Sequence, residues 1–330
     1  MIETWEKTEG AEWSSNLSRL LKVFMSEDNT LAEISGSPQS NPVPGPRTSA
    51  FRRYLVVTFV LTALFLGVAG WMSYQEWPTG PASGTTFHGS APVTAGLPKR
   101  FKIATFNIHG GYGLDGRLDL KRTAECLQGM DFIGLNEVRG VTAFNSRGQA
   151  EQLGELLEMR WLFAPTETGW TGPRFGQGAL SRASIESWRV VPFPRVNGNG
   201  YRNYLECQIP FESAQPTSGR GKSLTILVTH LDRKSDRQDQ LRSLIQHFLE
   251  LPPPVLLMGD LNAKRTEPQL QELAKQAGVT ECFGQFAQEP LVFKRIDWIF
   301  VRGLKCLDAN LEANDASDHP WGWAELELDK

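Results

Sequence analysis

The sequence predicts an α/β protein, a four-layer α/β/β/α sandwich preceded by a single transmembrane helix. From residue 100 onward, short apolar runs typical of strands alternate with stretches typical of amphipathic helices, and the strands outnumber the helices. Helices alone could not cover so many strands, so we expect two sheets packed face to face with helices on the outside. A long uncharged run before this region predicts the membrane helix.

The uncharged run is YLVVTFVLTALFLGVAGWM, residues 54–72, nineteen residues without a charged side chain. As a helix it would be about 28 Å long, close to the thickness of the hydrocarbon layer of a bilayer. A buried core helix is the alternative, but such a helix usually carries a polar stripe, and this one offers only Thr58 and Thr62. Residues 54–72 are therefore interpreted as a transmembrane helix.

The charges on the two sides of this run predict its orientation. Several arginines precede it closely, whereas no lysine or arginine lies between Met72 and Lys99. Basic residues favour the cytoplasmic side, so we expect the N-terminus in the cytoplasm and the rest of the chain outside it. A cleaved signal peptide is the alternative, because small residues near Val68 and Gly70 resemble a cleavage site; the protein would then be secreted.

The segments on either side of the helix are expected to lack regular structure. Residues 1–50 are predicted to be a mostly disordered cytoplasmic tail, because the tract SGSPQSNPVPGP has little apolar surface to bury. Residues 73–99 are rich in Gly, Pro, Ser and Thr, as in a flexible linker. Residues 100–330 are then one globular domain.

Periodicity within residues 100–330 assigns the individual elements. Strands are predicted at Lys102–Ile108, Asp131–Glu137, Gly178–Val191, Tyr201–Ile209, Leu224–His230, Val255–Asp260, Arg295–Val301 and Trp321–Leu326. Helices are predicted at Leu118–Met130, Ala150–Met159, Asp236–Leu249 and Glu267–Ala277.

Charge argues against a dedicated nucleic-acid binder. The whole chain has a net charge of −3, and residues 100–330 contain 27 Lys and Arg against 29 Asp and Glu. Proteins that bind nucleic acid tightly usually carry a basic excess that neutralises phosphates. The charge balance therefore argues against a nucleic-acid substrate, which stays open as an alternative.

The four cysteines form no C-x-x-C pair, which excludes zinc-finger and thioredoxin-like sites. Most of them sit among apolar neighbours, so they are interpreted as small buried apolar residues. An even number of cysteines in an oxidising compartment would also permit one or two disulfides. The residues are Cys126, Cys207, Cys282 and Cys306.

Polar side chains lie at or just beyond the ends of the predicted strands. Strands that each end in a carboxylate, amide or imidazole bring ionisable groups to one edge of a sheet, and an oxygen-rich set of this kind suits Mg²⁺ or Mn²⁺. The residues are Asn107, Glu137, His230, Asp260, Asn262, Asp297, Asp318 and His319.

These residues lie in the segments TFN, NEV, TH, GDLN, RIDWIF and SDH, which occur in that order between Lys102 and Trp321. In this pattern the sequence resembles the endonuclease/exonuclease/phosphatase superfamily, the relatives of deoxyribonuclease I, apurinic endonucleases, neutral sphingomyelinases and inositol-polyphosphate phosphatases. The resemblance implies a deoxyribonuclease I-like fold for residues 100–330. It also implies a divalent-metal-dependent hydrolase that cleaves a phosphodiester or phosphomonoester by in-line attack of water.

The resemblance also implies roles for the metal and phosphate ligands. Glu137 is expected to bind the Mg²⁺ or Mn²⁺, with Asn107 as a further metal ligand or phosphate contact. Asp318 is expected near the metal or the imidazole. Arg202, in GYRNYLEC, is the expected basic contact to the phosphate, although an isolated arginine on a strand is usually a surface charge.

The remaining roles concern the attacking water and the charge that develops on the phosphate. Asp260 is expected to orient or deprotonate the water, while Asn262 and His230 stabilise the phosphate. Asp297 and His319 are expected to form a carboxylate–imidazole pair, in which His319 acts as base, acid or phosphate binder. In GDLN the glycine would allow a tight exit from the strand, and Asp260 and Asn262, two residues apart, would point to the same side.

Two features leave alternatives open. The usual Gln before the metal-binding Glu is Asn136 here, and the Asn common before LSR is absent from RFGQGALSR, so the departures from the family pattern concern substrate positioning rather than metal binding. A membrane-tethered binding module of the same fold, without catalysis, is the alternative to an enzyme. Within the enzyme interpretation, a nuclease competes with a phospholipid or sphingolipid phosphodiesterase, and no protein partner is implied.

Overall fold

The computed structural model describes residues 48–142, 145–169, 172–195, 200–212, 223–286 and 295–329. The predicted disordered tail, residues 1–50, lies outside the described residues apart from the first turn of a helix. The helices are α1 (Thr48–Tyr74), α2 (Leu120–Cys126), α3 (Gln149–Leu157), α4 (Arg237–Glu250), α5 (Pro268–Leu273) and α6 (Phe283–Phe286). The first eight strands are β1 (Trp77–Pro78), β2 (Ala82–Gly84), β3 (Arg100–Asn107), β4 (Phe132–Arg139), β5 (Arg160–Pro165), β6 (Glu167–Gly169), β7 (Gly172–Pro173) and β8 (Phe175–Ser181). The others are β9 (Ser187–Pro192), β10 (Asn203–Pro210), β11 (Ser223–His230), β12 (Val255–Asp260), β13 (Val279–Glu281), β14 (Asp297–Arg302), β15 (Leu304–Glu312) and β16 (Trp321–Leu328).

Two large sheets form the body of the domain. One has seven strands in the order β13-β14-β12-β11-β10-β9-β2, and the other has six in the order β15-β16-β3-β4-β8-β5. The central pair of each sheet is parallel, β11 with β12 and β3 with β4, while the neighbouring strands pair antiparallel. A small third sheet joins β1, β6 and β7.

Three apolar clusters divide the domain into four layers. The central cluster contains side chains from both sheets, such as Ile103 of β3 and Val228 of β11, and fills the space between them. A second cluster packs α2 and α3 against the six-stranded sheet, and a third packs α4 and α5 against the seven-stranded sheet. This confirms the predicted α/β/β/α sandwich, because each sheet buries one face against the other sheet and one against helices.

The uncharged run forms one long helix. Its segment Phe51–Tyr74 spans 24 residues and is long and apolar enough to cross a membrane. Its large apolar side chains, including Phe59 and Phe65, are exposed. A buried core helix would cover these side chains, so the structure does not support that alternative.

Much of residues 73–99 is packed against the domain, which corrects the prediction of a flexible linker. Strand β2 pairs with β9 of the seven-stranded sheet. Phe87 and Leu97 are buried in the cluster between the sheets. Two large apolar side chains are enough to anchor this segment, although its average composition is that of a spacer. The folded domain therefore begins before residue 100.

The strands differ from the sequence prediction in several places, and the short strands β1, β2, β6, β7 and β13 were not predicted. The predicted strand Gly178–Val191 is two strands, β8 and β9, because the chain leaves the six-stranded sheet after Ser181 and enters the seven-stranded sheet at Ser187. Strands β5 and β15 were not predicted. Both are edge strands with partly exposed side chains, and the register of β15 is interrupted between Cys306 and Asp308, which breaks the alternation that marks a strand.

The cysteines are all free thiols in this structure. Cys207 and Cys282 are completely buried among apolar side chains, as the sequence predicts for small apolar residues. The Cys282 thiol is hydrogen-bonded to Cys306, whereas Cys126 packs on the helical side of the six-stranded sheet.

Candidate active site

Three of the predicted site residues form one row across the seven-stranded sheet. His230 at the end of β11 is the register partner of Asp260 at the end of β12, and Asp260 is the partner of Asp297 at the start of β14. Register partners in neighbouring strands project from the same face of a sheet. The Nε2 atom of His230 accordingly lies 3.4 Å from Oδ2 of Asp260.

Gly259 and Asn136 fix the position of Asp260. Gly259 has φ +137°, and a Cβ atom there would lie 1.9 Å from the backbone oxygen of Thr229, so no other residue fits. Asn136 accepts a hydrogen bond from the Asp260 N–H (3.0 Å) and donates one to the Thr229 oxygen (3.0 Å). The glycine of GDLN is thus required for close contact inside the sheet rather than for a tight exit from the strand.

Asn262 reaches the row through a turn and not through strand alternation. Its backbone has φ +47°, and its N–H donates to Oδ1 of Asp260 (2.8 Å), a side-chain-capped turn that asparagine tolerates. The Asn262 amide nitrogen donates to the Leu231 oxygen (2.9 Å) and lies 3.1 Å from Nε2 of His230. The predicted convergence of Asp260 and Asn262 is therefore present, with a different physical cause.

Asp297 and His319 form the predicted carboxylate–imidazole pair. His319 Nδ1 lies 2.8 Å from Oδ2 of Asp297, while its Nε2 faces Oδ2 of Asp260 at 3.9 Å. Burial on its own would lower the pKa of His319, but the hydrogen bond and charge of Asp297, together with Asp260, raise it to about 9. At neutral pH the ring is then an imidazolium held between two carboxyl groups.

The six-stranded sheet contributes Asn107 and Glu137 from its parallel central pair. Asn107 donates to Oδ2 of Asp260 (3.0 Å) and to Oε1 of Glu137 (3.2 Å), so it links the two sheets at the site. Glu137 has φ +56° and lies where the register of β4 with β8 shifts between Leu135 and Val138. This bulge turns the half-buried Glu137 side chain toward the site.

The two carboxyl groups of the row, Asp260 and Asp297, share His319 as their cationic neighbour. Burial and the neighbouring charge of Asp297 raise the pKa of Asp260 to about 7, against the opposing effect of His319. Burial and the nearby cations Arg202 and His319 hold the pKa of His230 well below its usual range, so this ring is neutral. Oδ1 of Asp297 is buried without a hydrogen-bond partner among the described residues.

The donor set fits a divalent cation. Asp260, Asp297 and His319 each offer a ligand atom, and these atoms lie within 4.8 Å of one another. His319 Nδ1 is already engaged by Asp297, so the free donors of the site are mainly carboxylate oxygens, to which Glu137 adds its own. Buried carboxylates with an unpartnered oxygen favour a hard cation such as Mg²⁺ or Mn²⁺.

Asp318 and Arg202 lie at the margin of this cluster. The half-exposed Asp318 carboxylate accepts from Ser317 Oγ (3.4 Å) and lies 3.7 Å from Nδ1 of His109, on the solvent side. The Arg202 guanidinium donates to the Tyr201 oxygen (3.2 Å) and lines the mouth of the site.

A cavity of about 170 Å³ opens beside His230 and Glu137. Its wall combines acidic, basic and apolar side chains, and the size suits a phosphate group with one substituent rather than a large ligand. The lining residues are Glu137, Thr166, Glu167, Phe175, Gly176, Gln177, Arg202 and His230.

The sequence reasoning missed residues that support the site without carrying a family motif. Ser317 donates to the backbone oxygen of Asn107 (2.7 Å) and accepts from the His319 N–H (3.2 Å). Among the described residues, three of the four non-glycine residues with positive φ, His109, Glu137 and Asn262, lie at the site. Strain concentrated at one place often marks function, but backbone angles of single residues cannot be read from a sequence.

Comparison with known proteins gives a consistent picture of the fold. The model of the Endonuclease/Exonuclease/phosphatase family matches residues 104–319. An endonuclease/exonuclease/phosphatase from Bacteroides vulgatus is 18% identical with a TM-score of 0.56, covering 70% of this chain and 99% of that one. No curated protein sequence matches the chain significantly.

Two other similar structures bear more specific names. TDP2 from D. rerio, complexed with a single-strand DNA product, is 19% identical with a TM-score of 0.51, covering 69% of this chain and 99% of its own. A mannosyl-6-phosphatase from Bacteroides thetaiotaomicron is 15% identical with a TM-score of 0.54, covering 69% and 100%. At such low identity these likenesses concern the fold alone.

Proposed function

The chain belongs to the endonuclease/exonuclease/phosphatase family, and on that basis we propose that it is a divalent-metal-dependent phosphoester hydrolase anchored in a membrane by residues 54–72. The observation that carries the proposal is the convergence of Asn107, Glu137, His230, Asp260, Asn262, Asp297 and His319 at one rim of the sandwich. A fold kept only for binding would have no need of two carboxyl groups buried side by side that share one imidazolium.

Asp260 is the proposed base. It is fixed by hydrogen bonds from the Asp260 N–H to Asn136 and from Asn107 and Asn262 to its carboxylate. The raised pKa, about 7, suits a group that must accept a proton from water near neutral pH. We propose that it orients the water in line with the leaving oxygen and takes its proton.

The remaining side chains stabilise the phosphate as charge develops on it. His319 as an imidazolium, Asn262 through its amide and neutral His230 can each donate to a non-bridging oxygen, and Arg202 can hold the phosphate at the mouth of the cavity. Glu137, with Asn107 and Asp318, would hold the Mg²⁺ or Mn²⁺, which would supply charge neutralisation for the phosphate.

Metal-dependent turnover of simple substrates tests the activity. Purified full-length protein should release nitrophenol from bis(p-nitrophenyl) phosphate or p-nitrophenyl phosphate, EDTA should abolish the reaction, and Mg²⁺ or Mn²⁺ should restore it. Asp260→Ala is the blank, and Asp239→Ala, which removes an exposed aspartate paired with Arg242, is the matched control. Turnover that persists in EDTA would contradict the metal dependence, and no turnover on either substrate would favour a binding module instead.

The topology is a separate part of the proposal. The arginines before residue 54, and the absence of lysine and arginine between Met72 and Lys99, support a cytoplasmic N-terminus and an extracytoplasmic catalytic domain. A reporter that is active only outside the cytoplasm, fused after Lys330, should be active in cells and remain in the membrane fraction. Release of the reporter into the medium would indicate a cleaved signal, and activity only of a cytoplasmic reporter would contradict the orientation.

A further inference from the structure

A second cavity adjoins the one beside His230. The second cavity, of about 300 Å³, shares the lining residues Thr166 and Arg202 with the first. The two adjoining cavities are together named the groove. The second cavity is lined by Pro78, Thr79, Thr166, Pro192, Phe193, Arg195, Gly200, Tyr201 and Arg202.

The far wall of this groove is the segment that directly follows the apolar helix, residues 75–79, here named the juxtamembrane strap. In it, Trp77 pairs with Thr168 and Pro78 with Glu167. Thr79 donates from its hydroxyl to the Pro165 oxygen (2.6 Å). The strap is therefore a fixed part of the groove and not a loose connection.

Charged side chains add to this attachment. Arg174 lies 3.1 Å from Glu76 of the strap and also donates to the backbone oxygen of Ser73. Glu76 is hydrogen-bonded to Glu167, which itself lines the first cavity. Burial and this contact raise the pKa of Glu167 to about 7, so the acidic wall of the groove carries less than its full charge at neutral pH.

The strap lies at the end of the helix where the chain would leave a bilayer. Three aromatic side chains, Trp71, Tyr74 and Trp77, are 63%, 86% and 40% exposed. Tryptophan and tyrosine at the end of a membrane-spanning helix prefer the headgroup level. Pro78 follows Trp77 directly, which puts the far end of the groove at that level.

From these positions we infer that the substrate is a phosphoester of a membrane lipid, taken from the surface of the bilayer. This inference rests on the proposed function, including the membrane anchor. The phosphate lies at His230 and Arg202, and the lipid part extends past Thr166 to Pro78. The near balance of charges over residues 100–330 fits a headgroup better than a nucleic-acid backbone, whose tight binding needs an excess of lysine and arginine.

The reaction on such a substrate is hydrolysis. The oxygen of water forms a bond to phosphorus, the bond between phosphorus and the leaving oxygen breaks, and the proton lost by the water is balanced by a proton gained at the leaving oxygen. A phosphodiester thus gives one phosphomonoester and one alcohol, and no oxidant or further reactant is needed.

The experiment compares a membrane substrate with a small soluble one. Full-length protein is reconstituted into vesicles of phosphatidylcholine and phosphatidylglycerol, and lipid products and released headgroups are measured by mass spectrometry with Mg²⁺ present. Bis(p-nitrophenyl) phosphate and plasmid DNA are assayed in parallel. Pro78→Trp fills the far end of the groove, since Pro78 is exposed there, and Pro81→Trp places the same side chain on an exposed position outside its lining.

We expect hydrolysis of vesicle lipid that falls at least about tenfold in Pro78→Trp, while turnover of bis(p-nitrophenyl) phosphate stays within about twofold and Pro81→Trp behaves like the unchanged protein. Turnover of bis(p-nitrophenyl) phosphate without hydrolysis of vesicle lipid would overturn the inference and leave the proposed function intact. The same holds if Pro78→Trp and Pro81→Trp change lipid hydrolysis equally. DNA cleaved faster than lipid would overturn it in favour of nucleic acid. Absence of turnover on every substrate would overturn the proposed function as well.

Discussion

Two buried carboxylates in the same seven-stranded sheet have opposite surroundings. Glu206 of β10 is 5% exposed and Asp260 of β12 is 1% exposed, and each lies beside a histidine. Glu206 accepts two hydrogen bonds from Arg189 (2.9 and 2.8 Å) and lies 2.7 Å from Nε2 of His247. Asp260 has instead a second carboxyl group, that of Asp297, as its partner in the row.

The pKa values reflect this difference. Burial would raise the pKa of Glu206, but the hydrogen bonds of Arg189 and His247 outweigh it and lower the pKa below its usual value. For Asp260, burial and the charge of Asp297 act in the same direction and raise the pKa to about 7. Glu206 is a carboxylate that Arg189 and His247 neutralise, whereas Asp260 shares the charge of His319 with Asp297, an arrangement that favours binding of a further cation.

Asp260→Ala should give the largest loss of activity. An unchanged activity would contradict the distinction drawn between Asp260 and Glu206. We expect kcat on a nitrophenyl phosphodiester to fall about 10³-fold, because the base and the anchor of Asn262 are both lost. The midpoint of thermal unfolding of the metal-free protein should change little, since removal of a carboxyl group buried beside Asp297 offsets the loss of its contacts with Asn107, Asn262 and His319. Loss of stability with retained activity would give Asp260 the structural role of Glu206.

Asp297→Asn tests the partner of His319. We expect kcat to fall about 10²-fold, because the carboxylate that fixes the tautomer of the ring is lost. In the metal-free protein, the pKa of His319 measured by NMR should drop from about 9 toward its ordinary value. Asp239→Asn is the control for charge alone. An unchanged His319 titration would contradict the assigned contact.

Glu206→Gln should affect stability and leave activity unchanged. The substitution removes a charge that neutralises Arg189 and His247, so we expect a loss of about 1–3 kcal/mol in the free energy of unfolding in urea. Arg189 is half exposed and can regain water, which keeps the loss moderate. Glu250→Gln, on an exposed position of α4, is the matched control. A fall in kcat would show that the two carboxylates are not independent.

The pH dependence of stability separates the two regions by the direction of its slope. The lowered pKa of Glu206 means that its contribution is present above its ordinary value of 4.5 and lost as pH falls through the folded value. The raised pKa values of Asp260 and His319, about 7 and 9, act in the other direction, since their contributions are lost as pH rises through those values. Unfolding in urea with EDTA should therefore show stability decreasing from pH 6 to 9, and a double Asp260→Asn, His319→Gln variant should remove this slope. A slope retained in the double variant would assign it to other groups.

The sequence could predict the row of site residues because strand ends are visible as changes from apolar to polar residues. His230, Asp260 and Asp297 each stand at the end or start of a strand with strong apolar character, so their common edge follows from strand geometry. The roles of Asp260 and Asn262 came from the family resemblance, and the structure adds the contacts that hold them. Whether these residues catalyse stays a prediction.

Other features could not be predicted because they depend on a few contacts distant in sequence. The strap and β2 have the composition of a linker, and their order comes from pairing with β6 and β9. The bulge that directs Glu137 arises from the pairing of β4 with β8 and leaves no mark in the local residue pattern. The supporting bonds of Asn136 and Ser317 likewise join segments more than 90 residues apart.

The shared register of His230, Asp260 and Asp297 restricts how this chain can evolve. One residue of the row can be substituted without moving the others. An insertion or deletion of one residue inside β11, β12 or β14, however, would turn every following side chain of that strand to the opposite face. Changes in length should therefore accumulate in the connecting loops of related proteins. Related proteins can then acquire new specificities through changes in the loops, while the proposed catalytic residues keep their positions on the strands.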